Sequence, residues 1–124
     1  MTNNYSQQDI EEALQAIASM ISKSEKAQEG FAPDTSQYTL QKNRIKALHI
    51  AWSLIKNELS DNSPSYYLKA DLEAAVNPIT SLISKSGKAY EKLRQGMWQH
   101  TMLGENLKAL YMASLLLTKA LHNG

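Results

Sequence analysis

Apolar residues in the first part of the chain recur at helical spacing. Ile10, Leu14, Ile17, Ile21, Ser24, Gln28 and Phe31 are separated by alternating steps of four and three, which places them along one stripe of an α-helix. Ser6 or Asp9 is suited to cap the start of this helix, and Gly30 to end it. A turn is predicted at Ala32-Pro33-Asp34-Thr35, because Pro33 cannot continue a helix. A second helix, capped by Thr35 or Ser36, is predicted to run to about Leu59 along Ile45, Leu48, Trp52, Ile55 and Leu59. The polar segment 60–66 then reads as a linker, with Pro64 suited to a helix start. A third helix carries Leu72, Val76, Ile79, Ile83, Ser86, Tyr90 and Leu93 and is predicted to end at Gly96. Pro78 falls inside it, so a kink or a break is expected near Asn77. A fourth helix carries Leu103, Leu107, Leu110, Ser114, Leu117 and Leu121.

The second half of this pattern repeats the first. Residues 5–59 and 67–121 align without a gap at an offset of 62, with 21 of the 55 pairs identical. Ile21-Ser22-Lys23-Ser24 returns as Ile83-Ser84-Lys85-Ser86, and Lys46-Ala47-Leu48 as Lys108-Ala109-Leu110. Helix composition alone does not keep identities in register over such a length, so an internal duplication is the reading. Four helices on short connections predict an all-α, antiparallel up-down-up-down four-helix bundle, built from two duplicated hairpins in a single domain over 1–124.

The second and fourth helices carry a further apolar stripe. Ala47, Ile50, Ala51 and Leu54 are matched by Ala109, Met112, Ala113 and Leu116, and the paired alanines suit close approach of two helices. These helices are therefore expected at the centre of the bundle. Tyr111, Met112 and Leu115 also suggest an apolar patch on the fourth helix, because Ser53 holds the place matched to Leu115. Such a patch is the candidate interface of a homodimer.

Composition changes this picture little. In 124 residues, 43% are hydrophobic and 20% charged, as in an ordinary globular domain, and the net charge of +1 supplies no global field toward nucleic acid or membrane. Without cysteine there is no disulfide or thiolate chemistry. The opening MTNNYSQQD has no charged-then-apolar signal pattern. The densest apolar run, Ala109 to Leu117, falls short of the roughly 20 residues that span a bilayer. A soluble, cytoplasmic protein without a membrane partner is expected.

Candidate chemistry is sparse. None of His49, His100 and His122 lies in the Glu-x-x-His pattern of metal-binding bundles, so no metal or cofactor is expected. His49 reads as a partly buried amphipathic residue. No phosphate-binding glycine loop or nucleophile elbow occurs. Ser53 and Lys56 form one Ser-x-x-Lys spacing, absent from the second copy, and are given no catalytic role. Ser24 and Ser86 stand where a core seam wants aliphatic residues, followed a turn later by Gln28 and Tyr90. They read as small packing residues, or as a polar pocket for a small ligand. Lys42, Arg44 and Lys46 read as a solvated basic face, or as a contact for nucleic acid or an acidic partner. Trp98 is placed near the tip joining the last two helices, as an end-cap or an exposed contact.

The segment Ser36-Gln37-Tyr38-Thr39-Leu40-Gln41-Lys42-Asn43-Arg44-Ile45-Lys46-Ala47-Leu48, with Gln99-His100-Thr101-Met102, resembles a pattern in small uncharacterised helical bacterial proteins. The resemblance covers one helix start per copy and implies a bacterial, helical protein without implying an activity. The expected function is non-enzymatic, through protein contacts and self-association. The alternatives are a small-molecule-binding regulatory or immunity-type bundle, and a nucleic-acid-associated protein.

Overall fold

In the structure, a computed structural model that describes residues 5–59, 67–94 and 96–123, the described residues form four α-helices. They are α1 (Gln7–Glu29), α2 (Ser36–Lys56), α3 (Lys69–Lys92) and α4 (Trp98–Asn123), and a 3₁₀ turn at Asn57–Leu59 finishes α2. The predicted linker 60–66, with Pro64, lies outside the described residues. There is no strand among the described residues, and no helix there is long and apolar enough to cross a membrane.

The first two helices start on side-chain caps. The Ser6 hydroxyl accepts from the backbone N–H of Asp9 at 3.0 Å, and the Asp9 carboxylate accepts from the backbone N–H of Ser6 at 3.3 Å. This capping box satisfies two backbone donors that a helix start leaves without partners. Thr35 caps α2, its hydroxyl accepting from Tyr38 N–H at 3.2 Å and donating to the Ala32 carbonyl at 2.7 Å. Gly30 ends α1 as expected, but in a right-handed conformation with φ −81°.

The second pair of helices is delimited differently. Leu68 stands before α3 with no side-chain cap. The helix passes through Pro78 as one element, so no break occurs at Asn77. It ends at Lys92, where Leu93 turns extended and its N–H donates to the Tyr90 carbonyl, earlier than the predicted stop at Gly96. Gly96 instead serves the entry to α4. Its φ of +91° lies in the left-handed region that favours glycine. Met97, without a capping oxygen, follows, and its carbonyl accepts from His100 and Thr101.

Helix contacts explain the double apolar stripes. Both α2 and α4 touch every other helix, whereas α1 and α3 do not touch each other. A helix with three neighbours needs a wider apolar surface than one with two. Ala47, Ala51, Ala109 and Ala113 are all buried, and their small side chains let α2 and α4 approach. Ile17, Ile55, Ile79 and Leu117 fill the space beside them.

The core does not run the length of the helices. Buried apolar residues span Ile10–Ile21 of α1, Ala47–Ile55 of α2, Leu72–Ile79 of α3 and Ala109–Leu117 of α4. Beyond them, toward the α1–α2 and α3–α4 connections, Arg44 is the one buried residue among those described, and the seams otherwise hold half-buried or exposed residues. Phe31 and Leu59, placed on seams by their spacing, are 38% and 42% exposed.

Candidate functional site

Three surfaces bear on function. The first is a groove between α2 and α3, with a volume of about 420 Å³. Its apolar part is built from Leu40, Ala47 and Ile50 on α2 and Ala75 and Pro78 on α3. Asn43, Asn77 and Ser81 supply its polar groups, and Lys46 Nζ and Asp71 Oδ1, 3.3 Å apart, form an ion pair within it. Pro78 has no N–H, so the carbonyl of Ala74, another lining residue, lacks its usual helical donor.

The corresponding positions on α4 and α1 carry the same ion pair with different surroundings. Lys108 Nζ lies 3.0 Å from Asp9 Oδ1, and these residues match Lys46 and Asp71 at the sequence offset. The hydrogen bond from Lys108, helped by the backbone N–H and hydroxyl of Ser6, holds the Asp9 carboxyl below its ordinary value. The same bond, with the field of Asp9 and weaker fields from Glu12 and Glu105, raises Lys108. At the matched places Lys46 has Ala74 and Asn43 instead of Glu12 and Glu105. Met102, against which Lys23 Nζ rests at 3.4 Å, is matched by Leu40 in the groove, where it is 46% exposed. The α2–α3 side thus has smaller and less acidic walls.

The second surface is the outer face of α4. Tyr111 and Leu115, one turn apart, are 57% and 61% exposed. Met112 does not belong with them. It is 1% exposed and packs in the core, because a step of one residue turns it about 100° away from Tyr111. The expected three-residue patch is therefore a pair. At the matched places on α2 stand His49, which is exposed rather than partly buried, and Ser53. Trp98, at the first position of α4, is 69% exposed and does not cover the bundle end.

The third surface is the polar seam. Ser24, Gln28, Ser86 and Tyr90 are all half-buried. Ser24 and Ser86 stand on α1 and α3, helices that do not touch, so the structure does not bring the two serines together. Tyr90 is committed to packing on α4. Its ring stacks on His100 with centroids 4.0 Å apart, and it lies so near Gly104 that an added Cβ there would come within 3.2 Å of Tyr90 Cε1.

The expected basic face is also dispersed. Lys42 is exposed, Lys46 is paired with Asp71, and Arg44 is buried at 8% exposure. Residues two apart on a helix point to opposite sides, so Arg44 cannot share a face with its two lysine neighbours. Sequence reasoning missed this burial although a signal was present. Arg44, Leu48, Ala51 and Ile55 are spaced four, three and four, and all are buried. Arg44 also has an unsatisfied Nε, as Gln99 has an unsatisfied Oε1. No group of three or more acidic or histidine side chains suited to a metal ion occurs among the described residues. No protein-family model, no curated protein and no solved structure matches the chain.

Proposed function

We propose that this chain is a non-enzymatic bundle that works through protein contacts, first with a second copy of itself, using the outer face of α4. The observation that carries the reading is the exposure of Tyr111 and Leu115 on a helix whose other large apolar side chains are buried or half-buried after its first residue. Two exposed apolar side chains a turn apart make a patch that association would remove from water. The matched places on α2 hold histidine and serine, so the apolar face belongs to the second copy alone. On the same reading the chain is a duplicated hairpin running up-down-up-down. Its two ion pairs at matched positions, and a core that alternates between helix starts and helix ends, support that course.

Light scattering across a dilution series tests the proposal on the native chain and on Leu115→Glu. A native dimer that the substitution turns into a folded monomer is the expected result. A native monomer at every concentration overturns it.

A second reading, a small-molecule-binding regulatory bundle, is favoured by the α2–α3 groove rather than by Ser24 and Ser86. Its volume of about 420 Å³ falls within the range of small-ligand sites, and it combines an apolar floor with a few polar groups. Screening for ligand-dependent thermal stabilisation, repeated on Ala74→Trp to fill the groove, tests it. The nucleic-acid reading loses its support with the burial of Arg44 and the pairing of Lys46.

A further inference from the structure

Arg44 is the only buried charged residue among those described, and it has no counter-charge there. Its Nε is out of contact with water and has no hydrogen-bond partner. Burying a guanidinium is costly unless an anion and hydrogen-bond acceptors replace its water. Nearby ion pairs do not relieve it, since the described carboxylate pairs are held by Lys46 and Lys108.

The position of Arg44 in the bundle adds a second observation. It is the first buried residue of α2 after the α1–α2 turn, and Ile21 is the last buried residue of α1 before that turn. Between Ile21 and the turn, the α1 seam offers the half-buried side chains of Ser24 and Gln28. On α4 the place matched to Arg44 is Asn106, also half-buried. Full apolar burial therefore ends at Ile21 on α1 and begins after Arg44 on α2, and the α1 seam between Ile21 and the turn continues with the hydroxyl of Ser24 and the amide of Gln28.

We propose that Arg44 anchors a binding site for a small oxyanion at this boundary of the core. A guanidinium presents five N–H donors in a planar fork that matches two oxygens of a phosphate or carboxylate. Ser24 and Gln28 on α1 and Asn106 on α4 are half-buried neutral donors on helices that contact α2, and none of the three is a carboxylate. The anion supplies the charge that the buried arginine lacks. This site is distinct from the α4 face and from the α2–α3 groove, whose lining does not include Arg44.

Thermal unfolding of the full chain, titrated separately with inorganic phosphate and with acetate at ionic strength held constant by chloride, tests the proposal. For the native chain the melting temperature is expected to rise saturably, by about 10 °C at a hundredfold excess over the dissociation constant. Arg44→Met is expected to lose that response. Without anion it is expected to melt at or above the native temperature, because an apolar side chain of similar length replaces an unpaired charge. A response to phosphate alone assigns a tetrahedral anion, and a response to acetate alone assigns a carboxylate. No saturable response to either, or an equal response from Arg44→Met, overturns the site. Should Arg44→Met not fold, the native chain still decides. The Nε–H resonance of Arg44 must move on titration with the stabilising anion, and an unmoved resonance overturns the proposal.

Discussion

At Leu68 the chain forgoes a helix cap that it uses elsewhere. Ser6 and Thr35 close the starts of α1 and α2, while the matched residues before α3 and α4 are Leu68 and Met97, 73% and 40% exposed. Asp71 already stands where a capping box needs its acidic partner. Leu68→Ser is therefore expected to stabilise the protein by about 1 kcal/mol in chemical denaturation, with little apolar burial lost. Asp9 gives a second prediction at this scale. Its carboxyl is held below the ordinary 3.8 by Lys108 and Ser6, so its contribution is complete above that value and lost as pH falls through the lowered one. Lys108 is raised above 10.5, so its contribution is complete below that value and lost as pH rises through the raised one. An NMR titration is expected to show Asp9 titrating low in the native chain and moving upward, though not fully back, in Lys108→Met. Caps such as Ser6 were legible because capping depends on neighbours in sequence. The burial of Arg44 was legible only in part, since its spacing to Leu48, Ala51 and Ile55 carries the signal while a cation on a helix ordinarily reads as a surface residue.

Between helices, the alanine stripes of α2 and α4 are buried almost without exposure. Ala113 is completely buried, and Ala113→Leu is expected to destabilise by about 1–3 kcal/mol through overpacking, measured by urea unfolding. Pro78 acts in the opposite direction. It removes a hydrogen bond from the interior of α3, where the matched residue of α1 is Ala16. Pro78→Ala is expected to raise stability by about 1–3 kcal/mol, reduced by the greater freedom it gives the unfolded chain. The alanine stripes were legible because burial on two sides widens the apolar arc of a helix. The true end of α3 was less so. Gly96 looks like a stop, yet its left-handed backbone serves the entry to α4, and the helix has already finished at Lys92.

For the molecule as a whole, fold class was open to sequence reading because four amphipathic segments admit few arrangements other than a bundle. The uneven core was harder to foresee. Heptad spacing continues through Ser24, Gln28 and Phe31, but a periodic position is buried only if a neighbour covers it, and the seam alone does not show where cover ends. The groove was likewise hidden, since it arises from small side chains on two separate helices whose mutual rotation the sequence does not show. The separation of α1 from α3 has a further consequence. Each outer helix is held by the α2–α4 pair and not by the other, so substitutions on the two should be energetically independent. Ile17→Val and Ile79→Val, at matched buried positions, are expected to cost about 0.5–1.5 kcal/mol each, with a double-mutant coupling below about 0.5 kcal/mol. A change in one outer helix then calls for no compensating change in the other, which leaves the two free to diverge in sequence at their own pace.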